Sequence, residues 1–155
     1  MIEFVLMMPF LFALVFVQLD VAFAVYAQAT LLQAVRQGVR FGVTNQTCGT
    51  GTLVSACVQQ TVVTASNGLL SGAFGNTAAK VTSTIWAYDT SSGSLVAGGT
   101  NAGGNVLEVK VTNYTLPLLV PLIFLGPGGS VNTSPLNMTV AAADRFEPLP
   151  NPPAW

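Results

Sequence analysis

The sequence predicts an α+β fold, with a long hydrophobic N-terminal α-helix followed by a small globular domain that holds a second helix and an antiparallel β-sheet. Three observations predict it. Residues 2–43, IEFVLMMPFLFALVFVQLDVAFAVYAQATLLQAVRQGVRFGV, read as one continuous helix that is apolar at its start and amphipathic toward its end. Two later segments, 81–88 and 106–114, have the β-branched and aromatic content of strands. The whole chain is 51% hydrophobic and 7% charged, a poor composition for a soluble monomer. At 155 residues it holds one domain plus a projecting segment, with expected boundaries at 1–43 for the helix, 44–147 for the α+β head and 148–155 for an extended proline-rich tail.

The first helix carries a lone acid at Glu3 and no basic residue before Arg36. A carboxylate so close to an apolar terminus is costly in a bilayer or a dry core unless a cation meets it, and the nearest candidate is the amino terminus of another chain. No basic stretch precedes the apolar run and no small-residue cleavage site follows it, so it does not read as a secretory signal. The uninterrupted run Phe4 to Val17 is short of the ~20 residues that cross a bilayer, and extension through Asp20 to Ala27 makes it long enough. Gln18 and Asp20 make permanent residence in lipid less favourable, which fits a temporary membrane anchor that can leave for a protein-lined core. Pro9 lies inside the run and is expected to remove a hydrogen bond and kink the helix. From Ala22 onward Tyr26, Thr30, Gln33, Arg36, Gln37 and Arg40 alternate with apolar positions, the pattern of a helix with one face on a domain. A helix of this length is a rod of roughly 60 Å, which a head this small cannot cover, so the N-terminal half needs lipid or other copies around it.

Residues 44–56 read as a polar loop. Cys48 and Cys57 enclose a short Gly/Thr-rich stretch of it, CGTGTLVSAC, at a spacing that favours a local disulfide in an exported protein, against an alternative of two reduced thiols; the set has no partner ligands for zinc. A second helix is expected from Ser55 or Cys57 to about Phe74, with Ser55 as N-cap and Val58, Val62, Ala65, Leu69 and Phe74 as an apolar stripe. Val81–Tyr88 is a strand, Ser91–Ala97 supplies a short hairpin strand, and GGTNAGGN turns into Val106–Tyr114, in which Leu107, Val109 and Val111 face the core. In LPLLVPLIFLGPGG, Pro117 and Pro121 argue for a broken or extended connection. Its apolar side chains either form an interface or pack Leu116, Leu119, Ile123 and Phe124 over the sheet. Leu136–Phe146 is the last strand, with Leu136, Met138, Val140 and Ala142 on one face. The ending PLPNPPAW is expected to be extended, with Trp155 available to staple a neighbouring subunit.

The chain excludes several function classes. Its net charge is −1 and its five basic residues are scattered, so nucleic-acid binding is set aside. Histidine is absent, which removes the usual triads, and neither GGTNAGG nor GPGG is followed by the Lys-Ser/Thr of a phosphate loop. Acid clusters suited to calcium are missing, and no enzyme activity or cofactor is expected. Asn45, Asn113, Asn132 and Asn137 stand in Asn-x-Ser/Thr sequons and are candidate glycosylation sites where such a system exists.

Several elements occur together and in order: Glu3-Phe4, Pro9 in an apolar run, Asp20 before an aromatic-rich turn, and Ala34-Val35-Arg36-Gln37-Gly38-Val39-Arg40. This N-terminal region resembles that of TadE-like pilins and pseudopilins of the type IV filament superfamily. The stretch 106–147, ending in Arg145-Phe146-Glu147, resembles that family's C-terminal half, with a divergent middle between the two.

The resemblance implies a structural, pilin-like subunit. Its helix would insert in the inner membrane, then polymerise into an extracellular filament on the cell surface with the help of a prepilin peptidase and pilus assembly machinery. Glu3 would set register against the terminal amine of a neighbour's Met1, an amine the family methylates. Phe4, Leu6, Phe10, Phe12, Phe16 and Phe23 would pack the filament core. Asp20 would meet Arg36 or Arg40 of another copy. Type IV prepilins carry a basic leader ahead of the glutamate, whereas only Met1 and Ile2 precede Glu3, so the sequence is expected to represent a mature or near-mature form. Two alternatives remain: a minor pseudopilin that primes or tips a filament or secretion machine, and a membrane-anchored module that binds a surface.

Overall fold

The computed structural model describes residues 2–49, 52–71, 79–116, 124–125, 131–132, 136–150 and 152–155, with side chains described for all of these except 2–6, 124–125 and 131–132. Met1, most of the 117–129 connection, the expected end of the second helix at Phe74, and the side chains of Glu3, Phe4, Leu6 and Asn132 lie outside the described set.

Helix α1 (Ile2–Val43) runs 42 residues and continues through Pro9. Its head-facing stripe begins at Asp20 and continues through Phe23, Ala27, Leu31, Ala34, Val35, Val39 and Val43, the spacing of one face at 3.6 residues per turn. The helix ends in a Schellman motif. Gln46 N–H donates to the Phe41 carbonyl at 3.3 Å and Asn45 N–H to that of Gly42 at 2.9 Å, with Asn45 in the left-handed region at φ 51°.

Helix α2 (Val54–Ala65) is shorter than expected from sequence. Asn67 and Gly68 take φ values of 50° and 83°, which turn the chain out of the helix, and the buried Leu69 follows that turn. Leu53 rather than Ser55 occupies the N-cap, with no side-chain cap. The orphan N–H of Val54 is satisfied from far away in sequence, by the Ala154 carbonyl at 3.1 Å.

Ala34, Gly38 and Gly42 line the face of α1 that meets α2. A methyl on Gly38 would overlap Val62 Cγ2, so the absence of a side chain is what lets the two helices approach.

The main sheet contains β1 (Lys80–Asp89), β2 (Ser94–Ala97), β3 (Val106–Thr115) and β6 (Asn137–Arg145) in the order β2-β1-β3-β6, with every neighbouring pair antiparallel. A separate ribbon pairs β4 (Phe124–Leu125) with β5 (Val131–Asn132). Both helices pack on one face of the main sheet, α1 against β3 and β6 and α2 against β1. The β1–β2 turn is held by the Asp89 carboxylate, which accepts from the Ser91 hydroxyl at 2.6 Å, the Ser91 N–H at 2.9 Å and the Ser92 hydroxyl at 2.9 Å. These bonds, the Ser91 hydroxyl first, hold its pKa below the usual carboxylate range.

Alternation places Leu107, Val109 and Val111 in the core, all fully buried. It then breaks. Between Val111 and Tyr114 the register against β6 shifts by one residue, and Asn113 adopts φ 59°, so that Tyr114 rather than Asn113 points inward. On β6, Val140 is buried and Met138 and Ala142 pack beside it. Leu136, expected on the same face, lines a groove beside α1 with Met138 and Val140 and is exposed.

Tyr114 is fully buried, and among the described residues its hydroxyl has no hydrogen-bond partner. Burial pushes its pKa upward. Because an unsatisfied buried hydroxyl forfeits its water contacts, Tyr114→Phe is expected to raise stability by about 1 kcal/mol, read from the midpoint of chemical denaturation. A clear loss of stability would show that the hydroxyl is engaged in solution.

The C-terminal tail packs on its own head. The Trp155 ring meets Phe146 edge-on with centroids 5.4 Å apart, and the Pro153 carbonyl accepts from Asn101 Nδ2 at 2.7 Å. The staple expected between subunits is thus an intramolecular contact, closing over the C-terminal end of α1.

Candidate assembly surface

Of the surfaces described, the N-terminal half of α1 departs furthest from what a monomer tolerates. Beyond the head it projects large apolar side chains on all sides, among them Met7, Phe10, Leu11, Leu14, Leu19 and Val21, with Phe10 73% exposed. Phe12 and Phe16 are also exposed, and their rings lie 6.3 Å apart on one face. By length and composition α1 is able to cross a membrane. Phe23 differs from the other phenylalanines expected to pack between copies. It is partly buried against the head core and sits 6.4 Å from Tyr26.

The structure separates Asp20 from Arg36 and Arg40. Asp20 retains only 7% of its surface and lies on the stripe of α1 that faces the head. The contact expected with Arg36 or Arg40 is one between copies rather than within the chain. Arg36 and Arg40 are exposed. They line an open groove of about 590 Å³ between the helix and β6, with Leu32 and Val39 beside them and Ala142, Asp144 and Glu147 across it.

Cys48 and Cys57 are joined by a disulfide with Cα atoms 5.6 Å apart, pinning the loop after α1 to the first turns of α2. Removing a ring this short, by Cys48→Ser with Cys57→Ser, is expected to cost about 2–3 kcal/mol, measured by thermal unfolding of the solubilised chain. An unchanged midpoint would mean that packing alone holds the loop.

The sequons do not share one environment. Asn45 is buried at the end of α1, where its Oδ1 accepts from Asn101 Nδ2 at 2.9 Å. Asn113 and Asn137 are exposed. The Asn45–Asn101 pair and its link to Pro153 escaped sequence reading, since these residues lie far apart in the chain. An asparagine just after a long helix was the one available signal, as it suits a left-handed cap.

No curated protein matches this chain, and no solved structure does so either. Residues 1–40, the apolar helix up to Arg40, match the model of the TadE-like protein family.

Proposed function

We propose that this chain is a pilin-like structural subunit that polymerises into an extracellular filament through α1, with the head outward. The observation that carries the reading is the exposed apolar surface of α1 on a chain whose own head covers only the C-terminal part of that helix. Burying an apolar side chain stabilises by roughly 1.5–3 kcal/mol, so covering this surface with like helices yields a gross gain of tens of kcal/mol before entropy is subtracted. A bilayer can cover the same surface before assembly, which accounts for a membrane-inserted precursor. Glu3 sets register against a neighbour's N-terminal amine. Phe10, Phe12 and Phe16 supply core packing, and Arg36 and Arg40 remain accessible for polar contacts between heads.

The readings as a priming pseudopilin and as an anchored binding module use the same helix in a monomer or a small complex. Extraction of native material in mild detergent distinguishes them. A filament subunit sediments as large assemblies, whereas an anchored monomer dissolves completely, and that second outcome would end the filament reading.

A further inference from the structure

We infer that the two free edges of the head sheet, β2 and β6, pair with each other between successive copies of this chain, so that the sheet continues from head to head. Among the described residues nothing pairs with the outer edge of either strand. Natural edges are usually blunted by charge or proline, and along most of their length these are not. Ser94–Ala97 contains neither a charged residue nor a proline, and β6 carries its charges, Asp144 and Arg145, only at its C-terminal end.

Strand direction selects the occupant. In the order β2-β1-β3-β6 with all neighbours antiparallel, β2 and β6 run in opposite directions. A second copy placed beside the first in the same orientation therefore presents β2 antiparallel to β6, the pairing that continues the ladder. The helices then stay on one face of the joint sheet and all copies of α1 point the same way. A two-fold β6–β6 contact would point the apolar halves of two α1 helices in opposite directions, incompatible with a shared membrane or filament core. The β2–β6 contact is heterologous and does not close on itself, which is the property an elongating assembly requires.

Side-chain size agrees with this pairing. Val96 pairs with Ala87 on the helix side of the sheet yet is 48% exposed, and Leu95 pairs with Tyr88 on the other side and is 50% exposed. The β6 edge offers Ala141, Ala142 and Ala143, which leave room on both faces. A neighbour's Val96 would enter the groove beside Ala142, Leu32 and Val39, and its Leu95 would cover Ala141 and Ala143. Four paired residues bury too little to hold two heads alone, so the contact acts as a lateral clamp between copies already gathered by α1. The inference deepens the filament reading and rests on it for the parallel arrangement of helices.

The test is thiol-specific cross-linking with a short bismaleimide, which leaves the Cys48–Cys57 bridge untouched. Full-length chains carry Val96→Cys together with Ala141→Cys, Ala142→Cys or Ala143→Cys and are examined in native membranes and in sheared surface material. At least one double variant is expected to give a ladder of dimers, trimers and longer species, and each single variant to remain monomeric. Dimers from a single variant would overturn the proposal in favour of a two-fold contact. Filaments that form normally without any ladder would overturn it while leaving the filament reading intact. Ladders confined to membranes, with no filament, would support edge pairing and remove the filament reading instead. Val96→Lys, a change on an exposed strand, is expected to lower sedimenting material at least tenfold, and an unchanged yield would count against the proposal.

Discussion

Replacing Phe10 and Leu14 together by alanine is expected to abolish assembly while leaving the head as stable as before. These residues stand one helical turn apart on the projecting half of α1, 73% and 51% exposed, so truncation removes few contacts within the chain. Alanine also favours the helix, and substitutions at such exposed sites usually change stability by no more than about 0.5 kcal/mol. Between copies the arithmetic differs. If both side chains are covered in the assembly, losing them removes roughly 3–6 kcal/mol of apolar burial per subunit, and the loss repeats along the polymer. Sheared surface material should therefore fall at least tenfold, with an unchanged melting profile for the detergent-solubilised chain. Normal filament yield would mean that this face of α1 does not pack between subunits.

Gly42→Val is expected to have the largest effect on the head itself. Gly42 is buried where α1, α2, β3 and the tail converge. A methyl there would overlap Leu107 Cδ2 and come within 2.9 Å of Val58 Cγ2 and 3.3 Å of Trp155 Cη2. Overpacking one contact costs roughly 1–3 kcal/mol, and here three side chains on three elements must yield at once, placing the cost at about 3 kcal/mol or more. For a head of this size the melting temperature should drop by more than about 10 °C. Gln59→Val, on the exposed side of α2, is the control expected to change little. Equal melting of the two variants would show that the helices relax apart without consequence, contrary to the packing described.

Much of this fold was legible because local rules and tertiary contacts agree. The alternation of Leu107, Val109 and Val111 marks a strand with one buried face, and the Cys48–Cys57 spacing permits the bridge that forms. Where the reading failed, a residue's role depended on something distant. Alternation places Leu107, Val109 and Val111 inward, and a bulge that depends on the pairing with β6 then turns Tyr114 inward. The apolar periodicity of the sequence runs to Phe74, although Asn67-Gly68 is itself a stop signal. Trp155 was expected to reach outward because it ends a proline-rich tail, yet Phe146, Asn101 and the N–H of Val54 all draw that tail back onto the domain. The apolar projecting helix was the clearest feature in the sequence, and its exposure in the structure is what the functional account rests on.

The most direct test of that account is negative-stain electron microscopy of material sheared from the native cell surface, with mass spectrometry of the same fraction. Thin filaments composed mainly of this chain are the predicted result. Filaments that lack it, with the chain recovered from membranes as a detergent-soluble monomer, would contradict the claim that α1 is covered by other copies of itself.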